Sequence, residues 1–164
     1  MNRRATSDSA ILIDSNLAIL LCVGLSGTEN IAKHKRLSGY DATDFLLLKE
    51  VLTETPRLAF SPYMLSETSN LLRQTHEPIK RASSLVLKQL VIECLEEQLS
   101  AKIAVLDPYY DLLGVTDAAL LGMLASNEKL TLLTADLDLY LVASSRGHKA
   151  INFANVRGER PDFQ

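Results

Sequence analysis

Four acidic residues stand where a folded chain must account for their charge. Asp14 directly follows the apolar run AILI, in ILIDSN. Asp136 follows LTLL after Thr134 and Ala135, in LLTADLD. Glu67 and Asp117 instead interrupt apolar helical faces. Met64 lies three residues before Glu67 and Leu71 four after it, and Asp117 precedes Leu120, Leu121 and Leu124 by three, four and seven. Such spacings put each carboxylate on the side that its helix turns toward hydrophobic neighbours. An inward carboxylate with no partner costs several kcal/mol or takes up a proton. No Lys or Arg stands at matching spacing in either segment, so a hard divalent cation, Mg²⁺ or Mn²⁺, is the natural partner.

Each acid also has an ordinary structural role open to it. Asp14, with Ser15 and Asn16, can cap a helix. Glu67 can be a surface glutamate on a slightly rotated face. Asp117, after Thr116, can be a first-turn acid that favours the helix dipole, and Asp136 can be a turn residue. Their joint placement, at strand ends and inward helix positions, is what points to a site. Other chemistry lacks its residues. No GxGxxG follows the first apolar run, since Gly24 and Gly27 lie a helix further on, and GxxxxGK[ST] and GxSxG are absent. His34, His76 and His148 are scattered without an HExxH pattern, which leaves zinc hydrolysis unsupported. A two-aspartate phosphatase loop would need an acid where Asn16 stands.

The elements that position these groups are legible in the hydrophobic pattern. Five short apolar runs read as buried parallel strands: Ala10–Ile13, Leu58–Phe60, Ile103–Leu106, Leu130–Leu133 and Ala150–Phe153. Helical spacing separates them. Leu87, Leu90, Val91, Cys94 and Leu95 mark one face; Phe45, Leu48 and Leu52 mark another, after Asp41 as an N-cap. Leu120, Leu121, Leu124 and Ala125 mark a third face, and Leu139, Val142 and Ala143 a fourth that ends at Gly147 as a C′ glycine. Strands alternating with helices predict an α/β three-layer sandwich, a small parallel β-sheet of about five strands flanked by helices. Ligands of such a sheet bind beyond the carboxyl ends of its strands, where Asp14 and Asp136 belong. A long excursion, Leu17 to Arg57, separates the first two strands and carries the basic cluster Lys33, His34, Lys35 and Arg36. That cluster reads as a solvated helix face or as a contact to nucleic-acid phosphates.

A chain of 164 residues is one domain's worth, and 47% hydrophobic with 23% charged residues is ordinary globular composition. The net charge of −3, from 17 Lys+Arg against 20 Asp+Glu, does not exclude a phosphate-bearing partner, because acids gathered on cations do not repel one. Aromatic residues are only 5% and Trp is absent, so a base-stacking platform has little material beyond Tyr109 and Tyr110, expected at the mouth of the site. Cys22 and Cys94 lie far apart in apolar stretches and read as free thiols in a reducing compartment. No apolar run approaches the ~20 residues of a membrane span, and no signal peptide opens the chain. The expectation is a cytoplasmic protein without membrane attachment. Its divisions would be a flexible arm over 1–9, a catalytic domain over 10–156 and a tail over 157–164.

The ordered set ILIDSN, SETSNLL, VTDAALLGMLA, LLTADLD and the closing RGHKAINF resembles the PIN domain family, with the flavour of VapC-like toxin ribonucleases. The resemblance spans Ile11 to Phe153 and implies a metal-dependent endoribonuclease. By analogy Asp14, Glu67, Asp117 and Asp136 form the catalytic quartet, with Asp14, Asp117 and Asp136 as metal ligands. Asn16 and Thr134 would orient those ligands and a water. One metal would activate water and a second, ~4 Å away, would stabilise the leaving oxygen. The resemblance further implies an RNA substrate, a homodimer and an antitoxin partner that fills the acidic site. Lys33, Lys35 and Arg36 would contact nucleic acid. Two departures stand out: the excursion over 17–57 is longer than in compact members, and Asp138 competes with Asp136 as fourth acid, with Asp111 a further spare. The other classes open to the chain are a catalytically silent PIN-like scaffold for RNA or protein and, more remotely, a phosphatase.

Overall fold

The computed structural model describes residues 8–54 and 57–159. The expected arm over 1–9 and tail over 157–164 therefore lie largely outside the described residues. The elements run β1 Ala10–Ile13, α1 Ser15–Ser26, two 3₁₀ turns over Thr28–Lys33 and Lys35–Leu37, α2 Ala42–Thr53, β2 Leu58–Phe60, α3 Pro62–Leu72 and α4 Ile79–Glu93. They continue with β3 Leu95–Glu96, α5 Ala101–Ala104, α6 Tyr110–Ser126, β4 Leu130–Thr134, α7 Leu137–Ser145, β5 Ala150–Asn152 and α8 Phe153–Gly158. The sheet is wholly parallel in the order β3-β2-β1-β4-β5. The chain moves outward one way from β1 to β3 and the other way from β4 to β5. The switch point of the topology thus falls between β1 and β4, where an open α/β sheet leaves a crevice for ligands.

Strand alternation sends apolar side chains to both faces. Ile11, Ile13, Phe60 and Leu133 join α1, α2, α3 and α4 in one core. Ala10, Leu12, Ala59, Leu130 and Leu132 join α6 and α7 in a second. The expected three layers are present. Helix α1 is apolar all round, with Leu17 to Gly24 buried throughout, because α2, α3 and α4 all pack against it. Gly24 lets α2 approach closely: a Cβ there would lie 2.2 Å from the Phe45 ring. The capping residues behave as expected. Asp41 and Asp44 form a reciprocal capping box on α2, and Gly147 takes a positive φ of 78° just beyond α7.

One strand was misplaced by the pattern. The run Ile103–Leu106 is not a strand: its first half lies in α5, and Ile103, Val105 and Leu106 are exposed with only Ala104 buried. A four-residue apolar run carries no period that separates strand from short helix. The edge strand is instead Leu95–Glu96, both exposed, in a segment whose spacing suggested that the α4 face continued through Leu95. Phe153 likewise opens α8 instead of ending β5. Among the described residues no helix is long and apolar enough to cross a membrane. Cys22 is buried and Cys94 half-buried, both are free, and burial pushes the Cys22 thiol up to about 12, which leaves it without thiolate character near neutral pH.

Candidate acidic site

Asp14 is the centre of the site. It is 4% exposed and sits between the carboxyl end of β1 and α1, which it caps. Its Oδ1 accepts the Leu17 N–H at 2.9 Å. Its Oδ2 accepts the Ala135 N–H at 2.8 Å and the hydroxyl proton of Thr134. Thr134 Oγ1 in turn accepts the Asp136 N–H at 3.0 Å. One hydroxyl therefore locks two acids from neighbouring strands into a fixed relation. The capping role and the site role of Asp14 are compatible, since a carboxylate has about four lone-pair directions and the three bonds leave room for a further ligand. Burial raises the Asp14 pKa, the three hydrogen bonds oppose that, and the charge of Asp136 adds to the rise.

Asp136 is half-buried and caps α7, its Oδ1 accepting the Leu139 N–H at 2.9 Å. Asp138, the competing acid, is exposed on the first turn of α7. Asp117 comes from the opposite layer. Gly114, at φ 79°, breaks α6 so that the helix restarts just before Asp117, while Ala118 to Leu121 pack into the core beneath α6 and α7. The Asp117 carboxyl is pushed up to about 7, first by burial and then by the charges of Asp14, Asp136 and Glu67. The charges of the other three acids thus all reach Asp117. Glu67, however, is exposed: the buried stripe of α3 is Met64, Thr68 and Leu72, and Glu67 lies on its flank. Asp111 is also exposed, on the segment before the Gly114 break.

Among the described residues the paired cations are placed elsewhere. The ion pairs given by the described residues are Lys129–Asp8, Arg146–Asp107 and Arg157–Asp44, none involving these four acids. Among the described residues no group of three or more His, Cys, Asp or Glu side chains is placed to hold a metal ion. The donor chemistry nonetheless suits Mg²⁺ or Mn²⁺. The donors are all hard oxygens, and such an ion commonly takes one or two protein carboxylates, keeps its waters and completes its shell with substrate phosphate.

The remaining expected residues are distributed as follows. Asn16 is exposed on the first turn of α1. Lys33, Lys35 and Arg36 are exposed on the 3₁₀ turns, whereas His34 among them is buried, its Nδ1 accepting the Arg36 N–H at 3.2 Å. Arg36 Nε donates to Gln74 Oε1 at 3.2 Å, just past the end of α3. That helix starts at the carboxyl edge of the sheet, so the basic cluster lies ~15 Å along it from that edge. Tyr109 stacks under Arg146, 5.4 Å from its ring centre and beyond the far end of α7, so it is not at the mouth of the site. Three contributors were not foreseen. Arg157 of α8 grips the buried Asp44 through Nε and Nη2 and donates from Nη2 to the Gly39 carbonyl at 2.6 Å. Its guanidinium covers the ring of Tyr40, which also lies 6.4 Å from that of Phe153. Tyr40 and Arg157 thereby fasten the long excursion beside the carboxyl end of β5. Asn152, the last residue of β5, is the third, and the strand-end logic that selects Asp14 would have selected it. Compared with known protein families, curated proteins and solved structures, the chain finds no match.

Proposed function

We propose that the chain is a Mg²⁺- or Mn²⁺-dependent endoribonuclease of PIN type, acting as a toxin or in RNA processing. What supports this reading is the coupling of Asp117 to the charges of Asp14, Asp136 and Glu67 beside the switch point of the sheet, with no lysine or arginine among the described residues paired to these four acids. Asp14, Asp117 and Asp136 would hold the cation. When bound, a divalent ion supplies a Lewis acid for the phosphate and water of lowered pKa. Thr134 keeps Asp14 fixed by donating to Oδ2, and the Ala135 N–H steadies the same oxygen. Glu67, exposed on α3 within reach of the Asp117 charge, is free to meet a water or substrate entering from solvent. Lys33, Lys35 and Arg36 would bind RNA phosphates away from the cut.

The test is cleavage of RNA by purified protein with Mg²⁺ or Mn²⁺. Asp14→Asn is expected to abolish it while the protein still folds, and excess EDTA to stop the wild type. Residual cleavage by Asp14→Asn, or full activity in EDTA, would overturn the proposal. A second reading is a PIN-like scaffold that binds RNA or protein without cutting. A melting temperature indifferent to divalent ions, together with no cleavage, would select it.

A further inference from the structure

Three adjacent strands end in a polar row. Ile13 pairs with Leu133 and Thr134 with Asn152, so Asp14, Thr134 and Asn152 follow one another across β1, β4 and β5. Residues in register on parallel strands share a face. Two positions earlier, Leu12, Leu132 and Ala150 all pack into the core under α6 and α7, the layer from which Asp117 comes. Asn152 therefore stands beside Thr134 on the face that carries Asp14.

Its side chain is oriented by the backbone. Asn152 is 8% exposed, and its Oδ1 accepts the Ala154 N–H at 2.9 Å. Only the amide oxygen can accept that bond, which fixes the flip of the group. Nδ2 is left with no hydrogen-bond partner among the described residues, yet it is not sealed from solvent as Ser15 Oγ and His34 Nε2 are. Within this row the other two side chains offer acceptors: the Asp14 carboxylate, and the Thr134 hydroxyl, whose proton is already given to Asp14. Asn152 contributes the row's unspent donor.

We propose that Asn152 contacts substrate, its Nδ2 donating to a non-bridging oxygen of the RNA phosphodiester laid over Asp14. The inference presupposes the nuclease reading and adds the group that holds the RNA backbone on the β5 side. A neutral donor suits the position. A lysine or arginine there would pair with the carboxylates and compete with the cation, whereas an amide binds phosphate oxygen without neutralising them.

Asn152→Ser and Asn152→Asp separate this role from the structural one. Both retain a side-chain oxygen able to cap α8, and both remove the amide donor. Melting temperature in EDTA, and kcat and KM on a single-stranded RNA oligonucleotide with Mn²⁺, are to be compared with the wild type. Both variants should melt within a few degrees of the wild type. KM should rise about tenfold for Asn152→Ser, the cost of one hydrogen bond to a charged group. It should rise further for Asn152→Asp, whose charge repels phosphate, while kcat moves less than KM. Wild-type KM in both folded variants would overturn the inference and leave the nuclease reading standing. So would losses of activity that only follow a fall in melting temperature. A wild-type protein that cuts no RNA with Mg²⁺ or Mn²⁺ would remove both together.

Discussion

Asp117→Asn should stabilise the protein, and should do so only above a definite pH. In the folded chain the Asp117 carboxyl is raised from its ordinary 3.8 to about 7 by burial and by Asp14, Asp136 and Glu67. If that pKa is raised relative to the unfolded chain, folded protein holds a proton between these values that unfolded protein has released. Stability from this group is therefore complete below about 4 and is lost as pH rises through about 7. A displacement from 3.8 to about 7 corresponds at most to ~4 kcal/mol of burial and repulsion in the ionised state. Water entry and small movements of the acids reduce this to ~2 kcal/mol. For a chain of this size that is a melting temperature ~4–8 °C higher for Asp117→Asn above pH 7 in EDTA. The assay is thermal unfolding of both proteins from pH 4 to pH 9, read by circular dichroism. The difference should be near zero at pH 4, grow between pH 4 and 7, and then level off. Millimolar Mg²⁺ at pH 8 should raise the wild-type melting temperature and narrow the gap, because a cation relieves the same repulsion. A gap that does not vary with pH, or a variant that melts below the wild type at pH 8, would refute the reasoning.

Two further outcomes follow from other parts of the molecule. Reversing charge at Lys33, Lys35 and Arg36 together should weaken RNA binding and flatten the dependence of log K on log salt by ~2, the share of three single-strand phosphates; unchanged affinity at low salt in an anisotropy titration would detach the cluster from RNA. Arg157→Met strips the buried Asp44 carboxylate of its bidentate partner, and removing one side of a buried pair typically costs ~3 kcal/mol. Chemical denaturation should therefore show a lowered midpoint, and Asp44→Asn in the same chain should recover part of the loss.

Four of the five strands are legible because both of their faces are covered, which turns them into short, mostly apolar runs that end at a polar residue. β3 is illegible for the converse reason: an edge strand of two exposed residues has no burial to write into its composition. Asp14, Asp117 and Asp136 stand out because a charge beside an apolar pattern is itself a signal, and the structure places all three buried or half-buried. The inward pointing read for Glu67 failed by a single position of helical phase, since Thr68 takes the buried place next to it. Arg157 and Tyr40 could not be found at all. Their relation to Asp44 and to the edge of β5 bridges up to 113 positions, and no local pattern records it.

The hydrogen bond between Thr134 and Asp14 joins residues 120 positions apart. At ~5–20 residues per second of synthesis, Asp14 waits ~6–24 s on the ribosome before Thr134 is made. Asp136, Asn152 and Arg157 come later still. Through that interval Asp14, and after it Glu67 and Asp117, emerge without the Thr134 hydroxyl and the Ala135 N–H that hold the Asp14 carboxylate. An enzyme that degrades RNA, built this way, would be born inert beside the message from which it is being read, and would acquire its pocket only after β4 and β5 are made.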